Sequence, residues 1–247
     1  MKKVTIFSNY EVKMITKKEA TEFIVKYHYS HTFPAACVSL GAFFEDELIG
    51  AIVFGMSAQP KLASSIVPYL KQQDYYELQR LFVKDCTLPN FESWFISKSI
   101  DWIKVNRPYI KVLVSFSDPH FLHQGTVYQA SNWLFVGKTA KSKAHVDANG
   151  IQVHPRTIAK GKIDISDLTE EERPPKNRYI MFLVKGIDVY INILDNSVIR
   201  VEDVQYWLNK EKEDGKLYIE RSNGYLKKHK ANLKNDLKRD ILKYPKL

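Results

Sequence analysis

Apolar residues in this chain come in short runs, some spaced as helix and some as strand. After Thr16, the segment KKEATEFIVKYHY repeats Ala20, Phe23, Ile24 and Tyr27 at helical intervals. Thr16 with Glu19 three residues on is a capping-box pattern, which predicts where that helix starts. His28, Tyr29, Ser30 and His31 then fall at its end and in the loop beyond, which Pro34 keeps from continuing as helix. CVSLGAFF and ELIGAIVFG, joined by Glu45-Asp46, predict an antiparallel hairpin. YYELQRLFVK predicts another strand, with Leu78, Arg80 and Phe82 on one face because residues two apart point the same way. A charge on an apolar face singles out Arg80.

Asn90 is placed to cap FESWFISKSIDWIKV, whose apolar side holds Phe91, Trp94, Phe95, Ile100, Trp102 and Ile103. KVLVSF reads as a buried strand ending in Ser115, Ser117 and Asp118, followed by a short helix carrying Tyr128, Asn132 and Trp133. Val4–Phe7 and RYIMFLV read as the first and last strands. The order β-α-β-β-β-α-β-α-β plus a late strand predicts an α/β (α+β) domain, a mixed central sheet flanked by helices. KTAKSKAHVDANGIQVHPRTIAKGK reads as a basic stretch and DISDLTEEERPP as an acidic connector. The pattern divides the chain into a sheet domain over 1–185, which the resemblance given below makes a catalytic one, and a lysine-rich helical appendage over 186–247.

Composition narrows the reading. A 45% hydrophobic fraction over 247 residues supports a real core. No apolar run approaches the roughly 20 residues that span a bilayer, and MKKVTIFSNYEVK has no signal-like apolar stretch. Two separated cysteines, Cys37 and Cys86, fit buried free thiols in a reducing cytoplasm. The expectation is a cytoplasmic protein with no membrane partner. The net charge of +9 predicts a polyanionic partner, nucleic acid first, with anionic cofactors or lipid surfaces also attracted.

Polar side chains where a buried strand ends, with a helix packed beyond, are a common way to build a site. The alternative is that Asp118-Pro119 is a turn and Trp133 core. His28-x-x-His31 and His120-x-x-His123 have a spacing at which metal ligands share a helix face, but no carboxylate follows closely. KDCTLPNFES contains no glycine, yet a helix start over Asn90 to Ser93 offers backbone N–H groups to an anion.

YELQRLFV, followed by a loop and a helix at Asn90, resembles the central strand and acyl-CoA loop of the GCN5-related N-acetyltransferases. More specifically, the chain resembles the Mom family of phage DNA-modification proteins. YHYSH with Pro34, ELQRLFV, SFSDP, GTVYQASNWLFVG, GIQVHPRT and PPKNRYIMFL carry the resemblance, in family order, over roughly residues 15 to 185. It implies modification of adenine N6 in DNA with a carbamoylmethyl group, which shields phage DNA from restriction. It implies catalytic roles for His28, Tyr29, Arg80, Ser115, Ser117, Asp118 and Tyr128. It further implies an acetyl-CoA or related acyl donor near Phe82, Val83, Asn90 and Ser93, and iron at His28 with Tyr29.

The chemistry sets requirements of its own. Adenine N6 is a weak nucleophile and is paired in duplex DNA, so the base must be flipped, at a cost of a few kcal/mol. Aromatic faces replace lost stacking, and Tyr29, Tyr128 and Trp133 are the candidates. Asp118 is placed to accept the N6 proton or its hydrogen bond. Arg80 would hold developing negative charge, or form a buried ion pair with Asp118. His154, Arg156, Lys160, Lys162, Arg178 and the C-terminal lysines are candidates for phosphate contacts on double-stranded DNA. Direct acyl transfer would leave an N6 amide rather than a carbamoylmethyl group, so the donor stays open. Oligomeric state is equally open, a homodimer being one arrangement. Three competing functions remain: an ordinary acetyl-CoA-dependent acetyltransferase, a non-catalytic DNA-binding protein, and an adenine methyltransferase. The last has against it the lack of a strand–Gly-x-Gly signature.

Overall fold

In the computed structural model, a seven-stranded sheet forms the body of the protein. The structure describes residues 7–59, 61–62, 65, 70–85, 87–150, 152–153, 155–184, 189–192, 198–199, 206, 209–210 and 219–222. The capping box at Thr16 forms as the sequence predicts: Thr16 Oγ1 accepts from Glu19 N at 3.2 Å, and Glu19 Oε2 accepts from Thr16 N at 2.7 Å. It starts α1 (Lys17–Tyr27), which His28 ends. Strands β2 (Ala36–Phe44) and β3 (Glu47–Gly55) make the predicted hairpin, with Glu45 and Asp46 both at positive φ, as a tight two-residue turn needs. The predicted strand at Val4–Phe7 lies almost wholly outside the described residues, and Phe7 is in a turn. One edge strand is β1 (Tyr10–Met14), paired antiparallel to β2.

Strand β4 (Tyr75–Val83) pairs antiparallel to β3 and parallel to β5 (Val112–Ser117). Past them lie β10 (Asn177–Phe182) and β6 (Leu134–Lys138), giving the order β1-β2-β3-β4-β5-β10-β6. Helix α2 (Phe91–Asn106) covers one face, packing Phe91, Phe95, Ile96, Ile100 and Ile103 on Leu40, Ile52, Phe54, Leu78 and Leu113. Helix α1 covers part of the other face, with Phe23 and Ile24 on Ala51 and Val53. The rest of that face packs Tyr75, Val112, Val114, Val136 and Ile180 under Leu62 and Leu70.

Two features of β4 shape the site. The register with β3 slips between Val53↔Arg80 and Phe54↔Leu78, which leaves Gln79 as an extra residue, a β-bulge. Leu78 therefore faces α2, while Phe82 packs against α1 beside Phe23 and Tyr27. The expectation that Leu78, Arg80 and Phe82 share a face is thus overturned, because a bulge inverts the alternation beyond it. The pairing of β4 with β5 runs from Tyr75↔Val112 to Leu78↔Ser115 and stops, so the two strands part there.

The basic stretch and the acidic connector are not separate surfaces. They hold β7 (Ser142–Val146), β8 (Gln152–Val153), α4 (Pro155–Ala159) and β9 (Thr169–Arg173), with the strands in a second sheet of order β8-β7-β9. Lys143 is paired to Glu170 at 2.6 Å. Within the tail expected to be helical, β11 (Val189–Asn192), β12 (Val198–Ile199) and β13 (Ile219–Ser222) form a third, three-stranded sheet. The lysine-rich segment 224–243 lies outside the described residues. Cys37 is exposed rather than buried, and Cys86 lies outside the described residues. No helix among the described residues is long and apolar enough to cross a membrane.

Candidate active site

Where β4 and β5 part, a pocket of about 340 Å³ opens, at the low end of the roughly 300–1,000 Å³ typical of ligand sites. Leu78 to Leu81 line one side and Phe116 to Asp118 the other; His28 and Tyr29 reach in from the end of α1, and Leu122 to Tyr128 close it. Six of the seven predicted catalytic residues line this space: His28, Tyr29, Arg80, Ser117, Asp118 and Tyr128, although they come from four segments of the chain. The seventh, Ser115, stands behind Tyr128.

Ser115 Oγ is 2.9 Å from the Leu78 carbonyl and 2.7 Å from Tyr128 Oη. A serine hydroxyl carries one proton and a carbonyl only accepts, so Ser115 donating to Leu78 leaves Tyr128 to donate to Ser115. Burial pushes the Tyr128 phenol up to about 12, so it is protonated. Its ring lies between Trp133 and Tyr179 in the core, with centroids 5.3 and 5.1 Å away. Tyr128 and Trp133 are thus core rings rather than base platforms. They belong to α3 (Thr126–Ala130) and the turn after it, packed against β10.

Asp118 is 8% exposed. One oxygen accepts from His120 N at 3.1 Å, capping a short turn over Pro119–Phe121, and the other pairs with Lys176 Nζ at 2.8 Å. The expected Asp118–Arg80 ion pair is not formed. Arg80 instead ties β4 to the loop after α1: Nε and one terminal nitrogen donate to Thr32 O (3.2 Å) and Thr32 Oγ1 (3.0 Å), and the other donates to Gln79 O (2.7 Å). The bulge at Gln79 sends the guanidinium that way.

His28 is 4% exposed, and its Nδ1 accepts from Ser30 N at 3.1 Å. Nε2 is then the protonated nitrogen of the neutral ring. Burial, with the Arg80 charge next, lowers the imidazole to about 3. Tyr29 is 40% exposed, with its ring 4.2 Å from His28 and 4.3 Å from Phe121. Burial of its hydroxyl and the charge of Asp118 raise the phenol. Ser117 Oγ accepts from Asn177 Nδ2 at 3.2 Å.

The iron expectation does not fit this arrangement. His28 Nδ1 is committed to Ser30, and among the described residues no three His, Cys, Asp or Glu side chains stand close enough to hold a metal ion. The predicted donor residues do not form one site either. Phe82 faces α1, and Val83 lies in the core under α2. Asn90 and Ser93 border a separate groove of about 1550 Å³ that follows α2 past Trp94 and Lys104 to Trp133, Tyr179 and Leu183. Asn90 precedes α2 in a left-handed conformation and makes no side-chain cap, while Ser93 Oγ donates back to Asn90 O at 2.9 Å.

Of the phosphate-contact candidates, Lys160 and Lys162 are exposed. Arg178 is half-buried, and one terminal nitrogen donates to Val136 O at 3.2 Å while its Nε has no protein partner. His154 and the side chain of Arg156 lie outside the described residues. Sequence reasoning passed over Lys176 and Glu77, and weighed the loop 120–125 only for its His120-x-x-His123 spacing. Glu77 begins the same ELQR motif, and burial raises its carboxyl above the usual range, with Ser57, Arg80 and Lys176 opposing. The block PPKNRYIMFL already contained Lys176, but only the pairing of β10 with β5 brings it to Asp118.

An α/β protein whose parted central strands enclose a polar, aromatic-rimmed pocket is the class these features define. The sequence profile of the Mom protein family matches residues 9–198, and the chain belongs to that family. The match runs past residue 185, into the segment that the motifs left outside the resemblance. The chain is similar to "Methylcarbamoylase mom" of Escherichia phage Mu, 32% identical over 111 residues, which is 44% of this chain and 46% of that protein. Similar solved structures include the ribosomal-protein-S5-alanine acetyltransferase of Vibrio fischeri (TM-score 0.43, 10% identity, 72% of this chain and 95% of that one). Another is a GNAT family acetyltransferase from Streptococcus pneumoniae (TM-score 0.41, 7% identity, 70% and 98%).

Proposed function

We propose that this protein modifies adenine at N6 in double-stranded DNA, attaching a carbamoylmethyl-type group that protects the DNA from restriction. One observation carries the reading: a single pocket brings Asp118, Arg80, His28 and Tyr29 together in a chain of the Mom family. The methylcarbamoylase name of the phage Mu relative supports a group transfer of this kind.

In this reading a flipped adenine enters between β4 and β5. Tyr29, which carries an exposed aromatic surface, supports the base by stacking, worth about 1–3 kcal/mol per base. Asp118 accepts the N6 hydrogen bond and then the proton as the amine attacks. Lys176, paired to that carboxylate at 2.8 Å, holds it aimed. Arg80, held by Thr32 and Gln79, faces the charge that develops on the donor. Neutral His28 donates from Nε2. The donor must present a CH₂ carbon that bears the amide and a leaving group, so that the N6–C bond forms as the bond to the leaving group breaks and the N6 proton passes to Asp118; transfer from the acyl carbon of an acyl-CoA would leave an N6 amide instead. The groove of about 1550 Å³ beside Asn90 and Ser93 has the volume for the donor and meets the pocket at Gln124, with the positive end of α2 toward an anionic part.

The test is mass spectrometry of nucleosides from plasmid DNA in cells expressing the full chain. The expected result is a new adenosine derivative that disappears in Asp118→Ala and Asp118→Asn. Unaltered nucleosides from folded wild-type protein, with acetyl-CoA consumed on a free amine, would replace this reading with ordinary acetyl transfer.

A further inference from the structure

Leu122 is an apolar side chain held where the fold gains nothing from it. It is 85% exposed, and its φ of +62° is a left-handed conformation that a leucine seldom adopts. It stands on the rim of the pocket, next to Phe121, which is also partly exposed and packs on Tyr29. Strain combined with apolar exposure at a pocket mouth points to a partner that covers the side chain.

The segment that carries it is braced at both ends. Asp118 O accepts from Phe121 N and His123 N, and Pro119 O accepts from Leu122 N. The Arg173 guanidinium donates to His120 Nε2, and Tyr179 Oη donates to Gln124 O at 3.0 Å. Gly125, at φ +81°, lies so close to the Tyr179 ring that no side chain fits there. Leu122 is therefore presented on a rigid arm beside the cavity.

The geometry points to Leu122 as a wedge: it enters the base stack of duplex DNA and fills the space left by the base that turns into the adjoining pocket, with Phe121 behind it. Apolar side chains inserted between base steps work this way in proteins that unstack DNA. The basic balance of the chain and exposed Lys138, which pairs in register with Asn177 beside the arm, suit the flanking phosphates of a duplex better than an apolar protein surface. This inference rests on the adenine-modifying reading and adds how the base leaves the helix.

Full-length Leu122→Ala and Leu122→Met test it, and substitution at so exposed a position leaves folding intact. In cells, Leu122→Ala is expected to lower the modified adenosine at least tenfold, while Leu122→Met keeps most of it. In solution, the wild type should raise the fluorescence of duplexes carrying 2-aminopurine in mixed flanking sequence. Leu122→Ala should fail to do so, yet should act as the wild type does when 2-aminopurine faces an abasic site, and should bind the single strand equally well. Wild-type behaviour of Leu122→Ala on the paired duplex, or equal losses on duplex and single strand, would overturn the wedge. A protein-facing role predicts the first of these. If the wild type makes no modified adenosine, the adenine reading fails and the wedge with it.

Discussion

The hydroxyls of Ser115 and Tyr128 lie 2.7 Å apart at the back of the pocket, and the serine also reaches the carbonyl of Leu78. This one contact joins β4, β5 and α3 at the point where the sheet opens. Ser115→Ala strands both the carbonyl and the phenol, at about 1–3 kcal/mol. Tyr128→Phe leaves the serine its carbonyl and should cost only about 0.5–1.5 kcal/mol. Urea denaturation of the two variants should give that order.

Asp118 has two duties that substitutions separate. Asparagine keeps an oxygen for His120 N but drops the ion pair with half-exposed Lys176, so its stability should stay within about 1 kcal/mol of wild type. Alanine loses the cap as well, adding roughly 0.5–2 kcal/mol. If the carboxylate accepts the N6 proton, both abolish modification although only alanine unfolds the turn, which nucleoside analysis beside thermal melts will show.

His28 sets a pH dependence of stability. Its native value of about 3 lies below the ordinary 6.5, so the unfolded chain takes up a proton first as pH falls. Stability is therefore full above pH 6.5 and declines from there toward pH 3, by an amount on the order of a few kcal/mol. His28→Gln should flatten the fall in urea midpoint between about pH 7 and about pH 4.5, a range inside that window. A steeper fall in the variant would contradict the buried neutral imidazole.

Gly125→Ala should be costly. The residue has φ +81°, and an added methyl would meet the Tyr179 ring. The loss should exceed the roughly 0.4–1 kcal/mol scale of ordinary glycine-to-alanine changes. Chemical denaturation measures it.

For DNA affinity, exposed Lys160 and Lys162 should be separable from Arg178. Removing both lysines should reduce the slope of log K against log salt by about 0.9 for each phosphate left without its cation. Arg178→Gln should change stability and leave the slope alone if the bond from its terminal nitrogen to Val136 O is what the half-buried side chain serves. Filter binding over a salt series distinguishes the two.

Which parts were legible follows from the range of the interactions. The start of α1, the Glu45-Asp46 turn and α2 are encoded by neighbours in sequence, and they form where the pattern puts them. The candidate residues gather because the polar ends of buried strands and the end of α1 converge where β4 and β5 part. The bulge at Gln79 is a relation between β3 and β4 and left no local mark, so alternation alone puts Phe82 on the wrong side. β7 and β9 were hidden because their few apolar residues are outnumbered by charges that cancel only once Lys143 meets Glu170. β1, with Lys13 and Glu11 in only five residues, is too polar to announce an edge strand.

The divergence of β4 from β5 has a consequence for solubility. A sheet that opens in its middle has inner edges as well as outer ones, and an uncovered edge invites strand addition from another molecule. Here the Leu122–Tyr128 segment, fastened through Gly125 and Tyr179, closes over the opening. Changes that loosen this segment should make the protein prone to self-association under mild heating, well before the rest of the sheet unfolds. The cover of the pocket is, in the same stroke, the guard against misassembly.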